Sequence, residues 1–167
     1  MSPPDGEVGE VKVFGADEQQ AAPVDVERWV GLARNVMLAE GVAGDAELSL
    51  LFVDEATISG LNRRFMDADG PTDVLAFPID DPVDDQAGGT DAGSPGPEPL
   101  LLGDVVVCPA VAERQAPEHA GTYDDELALL VVHGVLHVLG HDHAGLDEAA
   151  TMQARERELL QRFHQRR

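Results

Sequence analysis

Basic residues are scarce in this sequence: 11 Lys and Arg stand against 32 Asp and Glu in 167 residues, a formal net charge of −21 at pH 7. That balance excludes a protein that holds nucleic acid by general release of counterions, so DNA is not expected as a partner and any RNA contact has to be local. The cations are also unevenly placed. Arg63 and Arg64 are adjacent, none occurs between Arg64 and Arg114, and Arg155, Arg157, Arg162, Arg166 and Arg167 crowd the C-terminal end, so these two clusters are the expected phosphate contacts. Aromatic residues are few as well: one Trp, one Tyr and five Phe do not make a surface on which successive bases stack. Cys108 is the single cysteine, which excludes an intrachain disulfide, and its place after three valines reads as a small buried hydrophobe with no part in catalysis. The N-terminal residues Met1 to Glu7 have neither the basic start nor the apolar run of a secretory signal, and the longest apolar stretch, Leu127 to Gly140, is too short to span a bilayer. A cytoplasmic protein with no membrane partner is expected.

With 43% hydrophobic residues, the chain can build one sizeable core. We expect a polar tail over residues 1–10 and a single domain over 11–167, interrupted by a flexible acidic loop over 79–100 whose Asp, Gly and Pro content cannot bury enough apolar surface to offset ordering entropy. Four runs read as strands: Val11 to Phe14, Leu48 to Val53, Asp73 to Pro78 and Leu101 to Val107. Asp25 is placed to cap a helix whose apolar residues Trp29, Leu32, Ala33, Val36 and Met37 recur at helical spacing before Gly41. Asp54 caps a second helix running through Ile58 and Leu61 towards Phe65, and Pro109 suits the first turn of a third. Thr122 with Asp125 resembles a capping box ahead of Glu126 to Leu139, a helix apolar nearly all round and therefore interior. Gly140 ends it, and Leu146 to Phe163 form a last helix with Met152, Leu159, Leu160 and Phe163 inward. Strands mingled with helices indicate an α/β or α+β domain.

The chemistry concentrates at the end of the interior helix. His133 and His137 are four residues apart, so their imidazoles leave one helix face a turn apart and can reach one metal ion. The Gly140 turn lets the chain reverse and bring His143 to the same point, a set of three neutral nitrogen donors suited to Zn2+. If His141 were a fourth ligand the zinc would be closed and structural; if it points away, the fourth position holds water whose pKa zinc lowers to roughly 7, and the site is hydrolytic. Metalloproteases with this histidine spacing carry a Glu as general base at the position where this chain has Gly134, which makes peptide hydrolysis a weak alternative. Asp142 is a candidate for orienting a ligand histidine or the bound water, and Asp73 and Asp104 are candidates for the same task from strand ends.

The run His133-Gly134-Val135-Leu136-His137-Val138-Leu139-Gly140-His141-Asp142-His143 resembles the signature of the YbeY family of bacterial ribosomal-RNA maturation endoribonucleases. Leu61-Asn62, Pro71-Thr72-Asp73-Val74-Leu75-Ala76-Phe77-Pro78 and Gly103-Asp104-Val105-Val106 follow in the family's order, and Met152 and Glu156 match its C-terminal helix. The resemblance covers roughly residues 46–160 and breaks at the acidic loop. It implies a mixed four-stranded sheet flanked by helices, with His133, His137 and His143 as ligands of one zinc ion. It also implies single-strand-specific cleavage of precursor rRNA at the 3′ end of the small-subunit (16S) species, a part in ribosome quality control, and the small ribosomal subunit or its proteins as partners. One position departs: Met66 stands where the family commonly has an arginine implicated in catalysis. Arg63 and Arg64, on the preceding helical turn, are the candidates to place positive charge beside the phosphate, against a reading of both as solvated helix residues. The departure also motivates a competing reading, a non-catalytic ribosome-assembly factor with a structural zinc.

Overall fold

The computed structural model describes residues 10–79, 100–140 and 146–164. The expected tail, apart from Glu10, and the interior of the expected acidic loop lie outside the described residues, as do His141, Asp142, His143, Arg166 and Arg167. Four strands, β1 (Val11–Asp17), β2 (Ala46–Phe52), β3 (Val74–Pro78) and β4 (Leu100–Val107), form a sheet in the order β1-β2-β4-β3. β1 and β4 run parallel to β2, and β3 is antiparallel to β4, so the expected mixed four-stranded sheet is present.

β1 outruns its expected end at Phe14 because Gly15, Ala16 and Asp17 find backbone partners opposite Leu50, Leu51 and Phe52. Gly15 also lets α1 (Val26–Ala39) lie close: a Cβ there would meet Val30 Cγ2 at 2.5 Å. The side chain of Asp25 accepts a hydrogen bond from the Arg28 amide, and the five apolar residues picked out by helical spacing are the buried face of α1.

Alternation along β2 and β4 sends Leu48, Leu50, Phe52, Val105 and Val107 to one face of the sheet. There α1 and the interior helix α4 (Tyr123–Val138) cover them, with the last helix, α5 (Leu146–Phe163), packed on α4 and α1. Met152 and Leu159 of α5 are buried in this core, and Leu160 and Phe163 pack against it. On the other face a smaller cluster joins Leu75, Val106 and Cys108 to Ile58 of α2 (Glu55–Met66) and, at its margin, Val111 of α3 (Pro109–Gln115). Cys108 is fully enclosed there and burial pushes its thiol pKa up, as suits an inert small hydrophobe.

Three devices fix α4. Thr122 accepts the Asp125 amide at 3.0 Å, which is half of the expected capping box. The Asp125 carboxylate meets His164 Nε2 at 2.9 Å and so ties the start of α4 to the end of α5. At the other end Gly140 has φ +105°, the left-handed conformation that stops a helix. Thr122→Ala is expected to lower stability by about 1 kcal/mol, read from the midpoint of denaturant unfolding.

Candidate active site

Two adjoining clefts open at the β3 edge of the sheet and share His133 and Val74. One, of about 340 Å³, lies between the C-terminal end of α2 at Met66, strand β3, and Gly134 and His137 on α4. The other, of about 410 Å³, runs along α4 to His119 and is walled by Asp73 and by Gln153 and Glu156 of α5. Leu129, Leu130 and Met152 give it an apolar floor.

His133 and His137 are side by side on α4, with ring centroids 4.8 Å apart and the planes at 71°. The helical repeat produces this pairing, and close contact of α4 with the sheet holds it. Gly134 is what permits that contact, because a Cβ there would stand 2.5 Å from Val105 Cγ1 on β4. The position that carries the general base in metalloproteases with this spacing is therefore pressed against the sheet.

His133 Nδ1 lies 2.5 Å from Glu156 Oε2. A carboxylate accepts, so Nδ1 is the donor of this pair, which leaves Nε2 as the ring nitrogen that a metal ion would take. Glu156 is buried, and this bond supplies a partner for its charge. Sequence reasoning matched Glu156 to the C-terminal helix of a family without seeing this contact. The two residues are 23 positions apart, and only the packing of α5 on α4 joins them. Among the described residues no group of three or more His, Cys, Asp or Glu could hold a metal ion. The expected third donor, His143, lies outside them, as does Asp142. The two described imidazoles, side by side on one helix face, are nitrogen donors of the kind Zn2+ takes, so the part of the set that is described fits that ion.

The remaining expected site residues are dispersed. Asp73 does reach the cleft wall, where Oδ2 accepts from Gln115 Nε2 at 2.8 Å. Asp104 does not: it is exposed and follows the phase of Val106, on the sheet face opposite the histidines, so it cannot orient them. Arg63 and Arg64, expected as charges beside a phosphate, do not line either cleft. Arg63 has a side chain 76% exposed and lies 3.9 Å from Asp69, while the Arg64 guanidinium sits 5.2 Å from the centroid of the Phe65 ring. Helical phase turns Arg64 to the side of α2 away from Met66, which lines the smaller cleft, whereas Arg63 shares the Met66 side but stands a turn further from the cleft. The turn after α2 is held by buried Asn62, whose Nδ2 donates to Gly70 O at 3.0 Å, which accounts for the Leu61-Asn62 pair.

Sequence reasoning also missed a buried carboxylate behind the larger cleft. Glu126 is fully enclosed in the first turn of α4, and it is well satisfied. It accepts from Gln115 Nε2 at 2.6 Å and from the Ala120 amide at 3.0 Å, and it meets His119 Nδ1 at 2.7 Å. Glu126 closes an acidic run, Asp124-Asp125-Glu126, in the first turn of the helix, so nothing in the sequence marks it as the carboxylate that is enclosed.

Comparison with known proteins gives the family. A family model described as endoribonuclease YbeY matches residues 15–164. The chain is similar to the endoribonuclease YbeY of Salinispora tropica, 47% identical over 142 residues, covering 85% of this chain and 90% of that protein. It is likewise similar to the endoribonuclease YbeY of Mycolicibacterium vanbaalenii, 46% identical over 140 residues, covering 84% of this chain and 74% of the relative. A Thermotoga maritima protein whose structure was determined in solution shares the fold, with a TM-score of 0.53 at 24% identity over 92% of this chain and 91% of that one.

Proposed function

Since this chain belongs to the endoribonuclease YbeY family, we propose that it cuts single-stranded RNA internally, with His133, His137 and His143 holding one zinc ion. The observation that carries the reading is the His133–Glu156 contact, which holds the His133 ring through Nδ1 beside the His137 ring in the wall of a cleft. When bound, zinc supplies Lewis acidity, polarising a phosphate oxygen or bringing a bound water's pKa to roughly 7. The chain's own residues do the rest. Glu156 fixes the ring of His133, Gly134 lets α4 approach β4, and Asp142 would orient a ligand histidine or a bound water. The substrate is the precursor of small-subunit 16S rRNA near its 3′ end, and the same cleavage serves ribosome quality control in the cytoplasm. An acidic enzyme needs help to approach RNA, and docking on the small ribosomal subunit or its proteins provides it. No helix among the described residues is long and apolar enough to cross a membrane.

Glu156→Gln keeps the shape of the side chain and removes its charge. It is expected to reduce zinc affinity and RNA cleavage by roughly 10–100-fold, checked by metal titration and single-turnover cleavage of a precursor fragment. Met66 in the cleft favours one competing reading, an assembly factor whose zinc holds the helix end in place. A His143→Ala protein that folds normally and no longer cuts RNA would count against it.

A further inference from the structure

The two clefts around His133 contain no Lys or Arg among their described lining residues, although a single-stranded RNA brings negative charge to every linkage. Asp73 and Glu156 add two carboxylates to the wall of the larger one. Apart from the metal-ligand candidates, His119 is the one residue among the described lining residues there that can carry positive charge. We infer that His119, held by the buried carboxylate of Glu126, is the cationic RNA phosphate contact of this cleft, engaging the strand beside the linkage that is cut. The inference rests on the RNA-cleaving reading above and adds a substrate-binding residue to it.

The geometry supports this in three respects. His119 Nδ1 is 2.7 Å from Glu126 Oε2, so the ring is anchored from behind, while its side chain remains 54% exposed along the cleft. With a proton taken from solvent the imidazolium donates Nδ1–H to Glu126 and has Nε2–H left for an acceptor in the cleft. Glu126 is fully enclosed and accepts from Gln115 and Ala120 as well, so it is fixed before any ligand arrives. Glu126 and His133 are seven residues apart on α4, which places them on one helix face about 10.5 Å apart along the axis. That separation sets His119 beside the metal-ligand candidates rather than on them. The charged or titratable groups facing His119 are Glu126 on α4, Asp73 before β3, Glu156 on α5 and His133.

The test measures binding of zinc-loaded protein to a single-stranded 2′-O-methyl RNA oligonucleotide by fluorescence anisotropy, over a series of salt concentrations. The variants are His119→Gln, whose amide can still donate to Glu126, and His119→Arg, which retains charge. Melting temperature and zinc content are recorded for each. His119→Gln is expected to bind about tenfold more weakly and His119→Arg within about threefold of the wild type. The slope of log affinity against log salt should be shallower by about 0.7 in His119→Gln only. A folded, zinc-loaded His119→Gln protein that binds as tightly as the wild type overturns the inference. Equal weakening of both variants also overturns it, since charge would then not be what the position supplies. A wild type that does not bind the oligonucleotide fails at the earlier step, the reading of the cleft as an RNA site, and His119 falls with it.

Discussion

Replacing His137 by alanine is expected to remove RNA cleavage and stoichiometric zinc together while leaving the protein folded. His137 is half-buried in the last turn of α4, beside His133 and on the wall of the smaller cleft, at the margin of the core rather than within it. Truncation therefore takes away a donor without opening the core. The loss should exceed the roughly 10–100-fold expected from disturbing Glu156, which acts on the site through His133. The measurement is cleavage of a precursor rRNA 3′-end fragment by wild type and variant purified side by side, each with and without added zinc, together with metal analysis. Cutting by the wild type alone supports a metal-centred RNA hydrolase. If neither protein cuts while the wild type is folded and zinc-loaded, the assembly-factor reading gains and Met66 becomes the residue to restore to arginine.

Gly134→Glu, which would write a metalloprotease-like motif into α4, is expected to unfold the protein rather than to create a peptidase. The new Cβ alone would stand 2.5 Å from Val105 Cγ1, and Val105 is fully enclosed at the centre of the sheet, so neither partner has room to move. Overpacking of that kind costs about 1–3 kcal/mol, and an unpaired carboxylate in the same interior takes the total beyond about 4 kcal/mol, a large fraction of a domain's stability. Gly134→Ala separates the two contributions. Its clash is partly offset by about 1 kcal/mol of helix propensity, so it should fold with a modest net loss of about 1 kcal/mol. Thermal and denaturant unfolding check both. A well-folded Gly134→Glu protein that hydrolyses peptides would sink the argument that contact with the sheet reserves this position for glycine.

Much of the framework follows from local rules. Helical spacing identified the buried face of α1 residue by residue, because an amphipathic surface helix has one inward stripe and five apolar residues define it. The caps at Asp25, Asp54 and Thr122 were found because a side-chain oxygen that satisfies an orphan amide acts within three residues. Strand ends were less well placed: β1 runs three residues past Phe14, since a ladder supplies backbone partners to any residue, glycine included. The pairing of His133 and His137 was accessible for the same reason as the helix face, the four-residue repeat.

The Glu156–His133 bond, the Gln115–Glu126–His119 group and the exclusion of Arg63 and Arg64 from the cleft belong to a different order of information. The sequence by itself determined most of the elements, the family and two adjacent imidazoles, because each of these rests on interactions within a few turns of chain or on a contiguous motif, and the mixed sheet followed only through the family resemblance. That Glu156 meets His133, and that Met66 rather than Arg63 or Arg64 lines the cleft, was decided only when α5 packed on α4 and α2 set its last turn against the β3 edge. A side chain's direction in a cleft depends on the rotation and separation of whole elements, and residues 23 apart in the chain carry no local mark of being 2.5 Å apart in space.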